Sequence, residues 1–156
     1  MLFEEFYAAT WRRLYRSLVL ITTSPADAED VLQEAFGKAA RGWNNVSRMN
    51  NPEAWVRRVA VNAAMDLHRR SKRQRAAYSR LEPAAAATDD LSVEVMQALA
   101  TLPVDERQVV VLHHLLGLTV AEIADEVHRP TGTVKAQLVR GRRRLATELE
   151  LEVGAP

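Results

Sequence analysis

The chain has 156 residues, 47% hydrophobic and 26% charged, with a formal net charge of +1, a composition able to bury the core of one domain or of two small ones. It has no cysteine, which excludes a disulfide framework, a thiolate zinc site and a cysteine nucleophile, and fits a cytoplasmic protein. No apolar run approaches the ~20 residues of a membrane span, and the N-terminus, MLFEEFYAATWRR, carries acid where a secretory signal carries base.

In chain order, the first predicted helix covers roughly residues 3–22, with Phe3, Phe6, Leu14, Leu18 and Ile21 among its apolar positions. Ser24-Pro25-Ala26-Asp27 reads as an N-cap, a proline at the first helical position and an acidic capping-box partner, so a second helix starts there. Over residues 28–41 it places Ala28, Val31, Leu32, Ala35, Phe36 and Ala39 on one face. Asp30, Gln33 and Glu34 share the other side. These carboxylates lie on an open helix face with no histidine at ligand spacing, which favours a solvated or protein-docking surface over a metal or acid–base site.

The loop WNNVSRMNN brings Trp43, Asn44, Asn45, Asn50 and Asn51 together, side chains able to stack on or hydrogen-bond exposed bases. Asn51-Pro52 repeats the cap-plus-proline signal and opens a long helix running to about Arg73. Its core stripe is expected at Val56, Val59, Ala60, Ala63 and Leu67. Beside it Trp55, Arg58, Asn62, Asp66 and Arg69 form a row mixing an aromatic, an amide and arginines, as a DNA-facing surface does, although Trp55 fits an ordinary core position equally well.

From about Gln74 to Asp90 the periodicity fades into Pro83, four consecutive alanines and Thr88-Asp89-Asp90. This predicts a flexible linker over 76–90 between domains at 1–75 and 91–150, able to reach up to roughly 50 Å at ~3.3 Å per residue. Beyond it, residues 91–101, 105–116, 119–127 and 131–149 read as helices, so the expected class is all-α. Thr119 and Glu122 make a capping box, His128 to Pro130 end the short helix, and Thr131 can cap the next. There Val134, Leu138 and Leu145 fall on a buried face, while Lys135, Val139, Arg140, Arg142 and Arg143 point away. The pair reads as a helix-turn-helix whose second helix meets a phosphate-lined groove.

Charge is segregated along the chain. The net value is +8 over residues 41–80, −8 over 81–127 and +6 over 128–145, the last with Arg129, Lys135, Arg140, Arg142, Arg143 and Arg144 and no acid. Two basic blocks apart in sequence imply two polyanion-binding patches.

Together these segments resemble the short bacterial RNA polymerase sigma factors, the extracytoplasmic-function group of the sigma-70 superfamily. DAEDVLQEAF at 27–36 is similar to region 2.2, Trp43 through NPEAWVRRVAVNAAMDLHRR to regions 2.3 and 2.4, LPVDERQVVVLHHLLGLTVAEIADEV to region 4.1 and the first helix of 4.2, and PTGTVKAQLVRGRRRL to the −35 reading helix. The resemblance implies a promoter-specificity subunit with no catalytic site, cofactor or metal. Its partners would be the β′ clamp helices and β flap of core polymerase, promoter DNA, and an anti-sigma protein of the kind relatives commonly have. By the same resemblance Asp30, Gln33 and Glu34 would dock on polymerase. Trp43, Asn44, Asn45, Asn50, Trp55, Arg58, Asn62, Arg69 and Arg70 would meet −10 DNA, and Thr131, Thr133, Lys135, Ala136, Val139, Arg140, Arg142 and Arg143 would meet the −35 element. After the Gly-Thr-Val triplet the family often runs basic, serine, arginine, whereas here Lys135 is followed by Ala136 and Gln137.

Two other readings compete. A stand-alone helix-turn-helix regulator fits residues 103–145, yet residues 1–75 lack the strand–helix alternation of a receiver domain. An enzyme using His113 and His114 as metal ligands is disfavoured because adjacent helical side chains point about 100° apart.

Overall fold

The computed structural model describes residues 1–74 and 93–153, and every element among them is an α-helix. The chain divides into two compact units, Met1–Ala84 and Ala85–Pro156. The expected linker at 76–90 lies outside the described residues.

In the first unit, α1 (Phe3–Thr22), α2 (Pro25–Arg41), a single turn α3 (Trp43–Val46) and α4 (Pro52–Gln74) follow one another. The corner between α1 and α2 is built by local hydrogen bonding. Thr23 adopts a left-handed conformation at φ 57° and its N–H donates to Val19 O at 2.8 Å, while the Ser24 hydroxyl accepts from Asp27 N at 3.2 Å ahead of Pro25. The six apolar positions of α2 are all buried. At the start of α4, Asn51 Oδ1 accepts from Ala54 N at 3.0 Å, so the asparagine before the proline is a true cap.

α4 packs on both α1 and α2, and this second partner changes its register. Val56 and Ala60 are buried as expected, but Val61, Ala64 and Met65 join them, whereas Val59, Ala63 and Leu67 are only half-buried. Two neighbouring helices cover a wider face than one stripe supplies. Arg13 of α1 clamps Glu53 in the first turn of α4 with two hydrogen bonds, one of them Nε to Oε2 at 2.9 Å. The carboxylate in turn raises the Arg13 pKa, chiefly through the hydrogen bond.

The second unit comprises α5 (Val93–Thr101), α6 (Val104–His114), α7 (Val120–Val127) and α8 (Thr131–Val153). α6 is its central rod, with Glu106 through Leu112 all buried. Such burial on every side includes Arg107, whose guanidinium donates to Ala100 O and Leu102 O, each at 3.4 Å, at the end of α5. Burial lowers its pKa to about 10. α7 opens on the expected box, with Glu122 N donating to Thr119 Oγ1 at 3.1 Å and Thr119 N to Glu122 Oε1 at 3.0 Å. It closes at His128, which is left-handed at φ 57°. Thr131 is the first residue of α8 rather than its cap, because Pro130 O already accepts from Val134 N at 3.1 Å. Val134 and Leu138 are buried on α8, and Leu145 is half-buried.

Candidate nucleic-acid interface

Helical spacing turns α8 into a two-sided element. Val134, Gln137, Leu138 and Gly141 face inward, while Thr131, Thr133, Lys135, Val139, Arg140, Arg142 and Arg143 are exposed and Ala136 is half-buried. Gly141 is where α8 crosses α6: a Cβ there would stand 2.7 Å from Val110 Cγ2. A glycine at this point lets the basic helix lie close on the central rod.

Three of the cations expected outside are held inside the fold or against it. Arg129 is only 18% exposed in its side chain, and it donates from NH1 to Gln137 Oε1 at 2.7 Å and from NH2 to Gln108 and Asp105. It therefore ties α6 to α8 and does not belong to the outer phosphate-facing charge. Arg144 leans on Glu106 of α6, Nε to Oε1 at 2.9 Å, and Arg140 approaches the same carboxylate, Nε to Oε2 at 3.6 Å. Lys135, Arg142 and Arg143 stand on the exposed face beside them.

In the first unit, Asp30, Gln33 and Glu34 project from the exposed side of α2, with Gln33 Nε2 donating to Glu29 Oε1 at 3.1 Å and Lys38 3.6 Å from Glu34. They do not stand apart from the row on α4. A groove of about 520 Å³ between the two helices is lined by Asp30, Glu34 and Lys38 on one wall and Asn62, Asp66 and Arg70 on the other, with half-buried Val59, Ala63 and Leu67 contributing its apolar surface. Asn62, Arg69 and Arg70 are exposed, and Arg69 lies 3.8 Å from Asp66. Arg58 is exposed too, and Trp55 is half-buried.

The segment expected as a loop begins with the short turn α3, and Trp43 is not an open stacking platform. Its ring centroid lies 5.0 Å from that of Phe6 and 5.6 Å from that of Phe3, and its indole N–H donates to Met1 O at 3.1 Å. The aromatic seat comes from the start of α1, beyond the reach of any local pattern. Asn44, Asn45 and Asn50 are exposed.

Among the described residues no three His, Asp or Glu side chains come together as metal ligands. His113 is used structurally: its Nδ1–H donates to Leu118 O at 2.8 Å across the turn that Gly117, at φ +71°, allows. His114 is largely exposed, and its pKa is lowered first by partial desolvation of the ring and then by His113 and Arg142. No described helix is long and apolar enough to cross a membrane.

Residues 2–74 match the family model for sigma-70 region 2, and residues 92–145 match that for sigma-70 region 4. The ECF RNA polymerase sigma factor SigM of Mycobacterium tuberculosis is 33% identical over 147 residues, spanning 92% of this chain and 75% of that protein. The RNA polymerase sigma-E factor of Streptomyces avermitilis is 31% identical over 154 residues, spanning 95% and 85%. In fold, the chain is similar to the sigma factor RpoE of Bartonella quintana, solved in complex with the anti-sigma factor NepR, at a TM-score of 0.76, 22% identity and coverage of 96% and 97%.

Proposed function

The chain belongs to the sigma-70 family, in its extracytoplasmic-function group, and from that premise we propose how its surfaces divide the work. It is an RNA polymerase sigma factor, which directs promoter-specific transcription and is not itself an enzyme. In our reading the domains are region 2 over residues 1–75 and region 4 over 91–150, and the protein works in the cytoplasm with the polymerase. An anti-sigma protein belongs among its partners by the same reading, since the Bartonella neighbour was solved with one.

Asp30, Gln33 and Glu34 dock on the β′ clamp helices of core polymerase. The observation that carries this is the split of α2: Ala28, Val31, Leu32, Ala35, Phe36 and Ala39 are buried and the three polar side chains are exposed, so they are available to a partner without serving the core. Asn44, Asn45 and Asn50 with Arg58, Asn62, Arg69 and Arg70 handle the −10 element. Trp43 supports that surface from beneath through its contacts with Phe3 and Phe6, and half-buried Trp55 borders it. Asp30 and Glu34 face Asn62 and Arg70 across the α2–α4 groove, which supports a reading in which polymerase docking orients the −10 face directly. On α8, Thr131 and Thr133 meet phosphates at the helix start, Lys135, Ala136, Val139 and Arg140 reach base edges in the major groove, and Arg142 and Arg143 hold phosphate.

The test is capture of core polymerase by the chain and by an Asp30→Ala/Gln33→Ala/Glu34→Ala variant. Capture should fall at least tenfold while the melting temperature stays put, since exposed substitutions move stability by no more than about 0.5 kcal/mol. Equal capture would remove these three residues from the docking surface.

A further inference from the structure

We propose that Glu106, on α6, is a positioning residue for −35 recognition: it holds Arg140 and Arg144 from behind and aims their terminal N–H pairs outward. The inference rests on the reading of α8 as the −35 helix. Glu106 is 6% exposed, and its two oxygens face two arginines one helical turn apart, Oε2 toward Arg140 Nε at 3.6 Å and Oε1 toward Arg144 Nε at 2.9 Å. Gly141 makes the approach possible, because a Cβ there would lie 3.4 Å from Glu106 O and 3.5 Å from Glu106 Cβ.

The choice of nitrogen matters. A guanidinium has an inner N–H at Nε and an outer fork at its two terminal nitrogens, and it is a pair of N–H groups that reads guanine O6 and N7 together. A carboxylate placed at Nε leaves that fork open, and the side chains of Arg140 and Arg144 are still 52% and 55% exposed. The carboxylate also removes rotamers in which a long arginine would settle on the nearest phosphate.

Stability does not explain the arrangement. The contact from Arg144 lies too far off the N–H direction to be a hydrogen bond, so Oε1 is buried with charge opposite it but no donor aimed at it. A buried carboxylate in that condition costs free energy that a neutral isostere would avoid. A negative charge behind the recognition helix also weakens attraction to phosphate at any sequence, so it raises discrimination at the expense of general affinity.

The experiment uses holoenzyme reconstituted from core polymerase and the full chain. It measures the ratio of affinities for promoter DNA carrying the −35 sequence that the parent selects from a random pool and for the same DNA with that element scrambled. Glu106→Gln should lower the ratio roughly fivefold or more, on the scale of one lost bidentate base contact, while affinity for the scrambled DNA rises at low salt and the melting temperature does not fall. Glu106→Asp, which keeps the charge and withdraws it by one methylene, should restore part of the discrimination; if the Gln variant does not fold, the Asp variant decides alone by showing a reduced ratio. An unchanged ratio in the folded variants, with Arg140→Ala discrimination lost, would overturn the role of Glu106 and leave the reading of α8 intact. If Arg140→Ala/Arg144→Ala also keeps the ratio, the two arginines do not read bases and the role of Glu106 falls with them. In that double-alanine background Glu106→Gln should change nothing further, and an additional loss would mean that it acts through the fold and not through the two arginines.

Discussion

The Arg129 guanidinium donates to Gln137 Oε1 at 2.7 Å, spanning from the turn after α7 to the second turn of α8. The family pattern often carries an arginine where this chain has Gln137, and here a guanidinium reaches the same place from the turn. With Gln108 and Asp105 as its other partners, Arg129 fastens the basic helix to the central rod.

Arg129→Ala should therefore lower stability by about 2 kcal/mol, the scale of hydrogen bonds from a charged group. It should leave the salt dependence of DNA binding nearly unchanged. Arg142→Ala should do the reverse, with stability moving by no more than about 0.5 kcal/mol and the slope of log K against log salt falling by about 1. Thermal melts and anisotropy titrations at several salt concentrations separate the two, and a reduced slope for Arg129→Ala would return it to the phosphate-facing set.

Two glycines should respond with opposite signs. Gly141→Ala pushes a methyl to 2.7 Å from Val110 Cγ2 and should cost about 1–3 kcal/mol through overpacking. Gly37→Ala, inside α2, meets only the far end of Arg41 at 3.5 Å and should gain about 0.5–1 kcal/mol from helix propensity. Urea unfolding of each variant checks both, and a stabilised Gly141→Ala would mean that α8 does not lie so close on α6.

Acid should weaken the second unit through His114. Burial, His113 and Arg142 hold its pKa below the ordinary 6.5, so the folded state takes up that proton less readily than the unfolded chain. The resulting loss of stability is absent well above 6.5 and grows as pH falls from there through the lowered folded value. Melting temperatures at about pH 7.5 and 5.5 should drop less for His114→Gln than for the parent. An equal drop would show that other groups carry the acid response.

Elements whose causes are local were legible in the sequence. The buried face of α2 follows from its period alone, and the Thr119–Glu122 box and the Ser24 and Asn51 caps need only four residues each. Features with distant causes were not. Trp43 reads as an open stacking group until Phe3, Phe6 and Met1 arrive from about forty positions upstream, and Arg129 reads as outer charge until Gln108 and Asp105 meet it. The register of α4 slipped because α1 and α2 both cover it, turning Val61, Ala64 and Met65 inward. Glu106 gave no signal, being one acid in an acidic stretch. What marks it is its burial beneath two arginines that lie 34 and 38 residues later in the chain.

The central claim is that this chain gives core polymerase a sequence preference it otherwise lacks. Run-off transcription on a randomised promoter library, with core polymerase alone and with the chain added, tests that most directly. The account predicts transcripts only when the chain is present, all from templates sharing one −10 and one −35 sequence, with the −35 preference altered by Arg140→Ala and the yield lost with the Asp30→Ala/Gln33→Ala/Glu34→Ala variant. Transcripts that are the same with and without the chain, or that share no sequence, would contradict it.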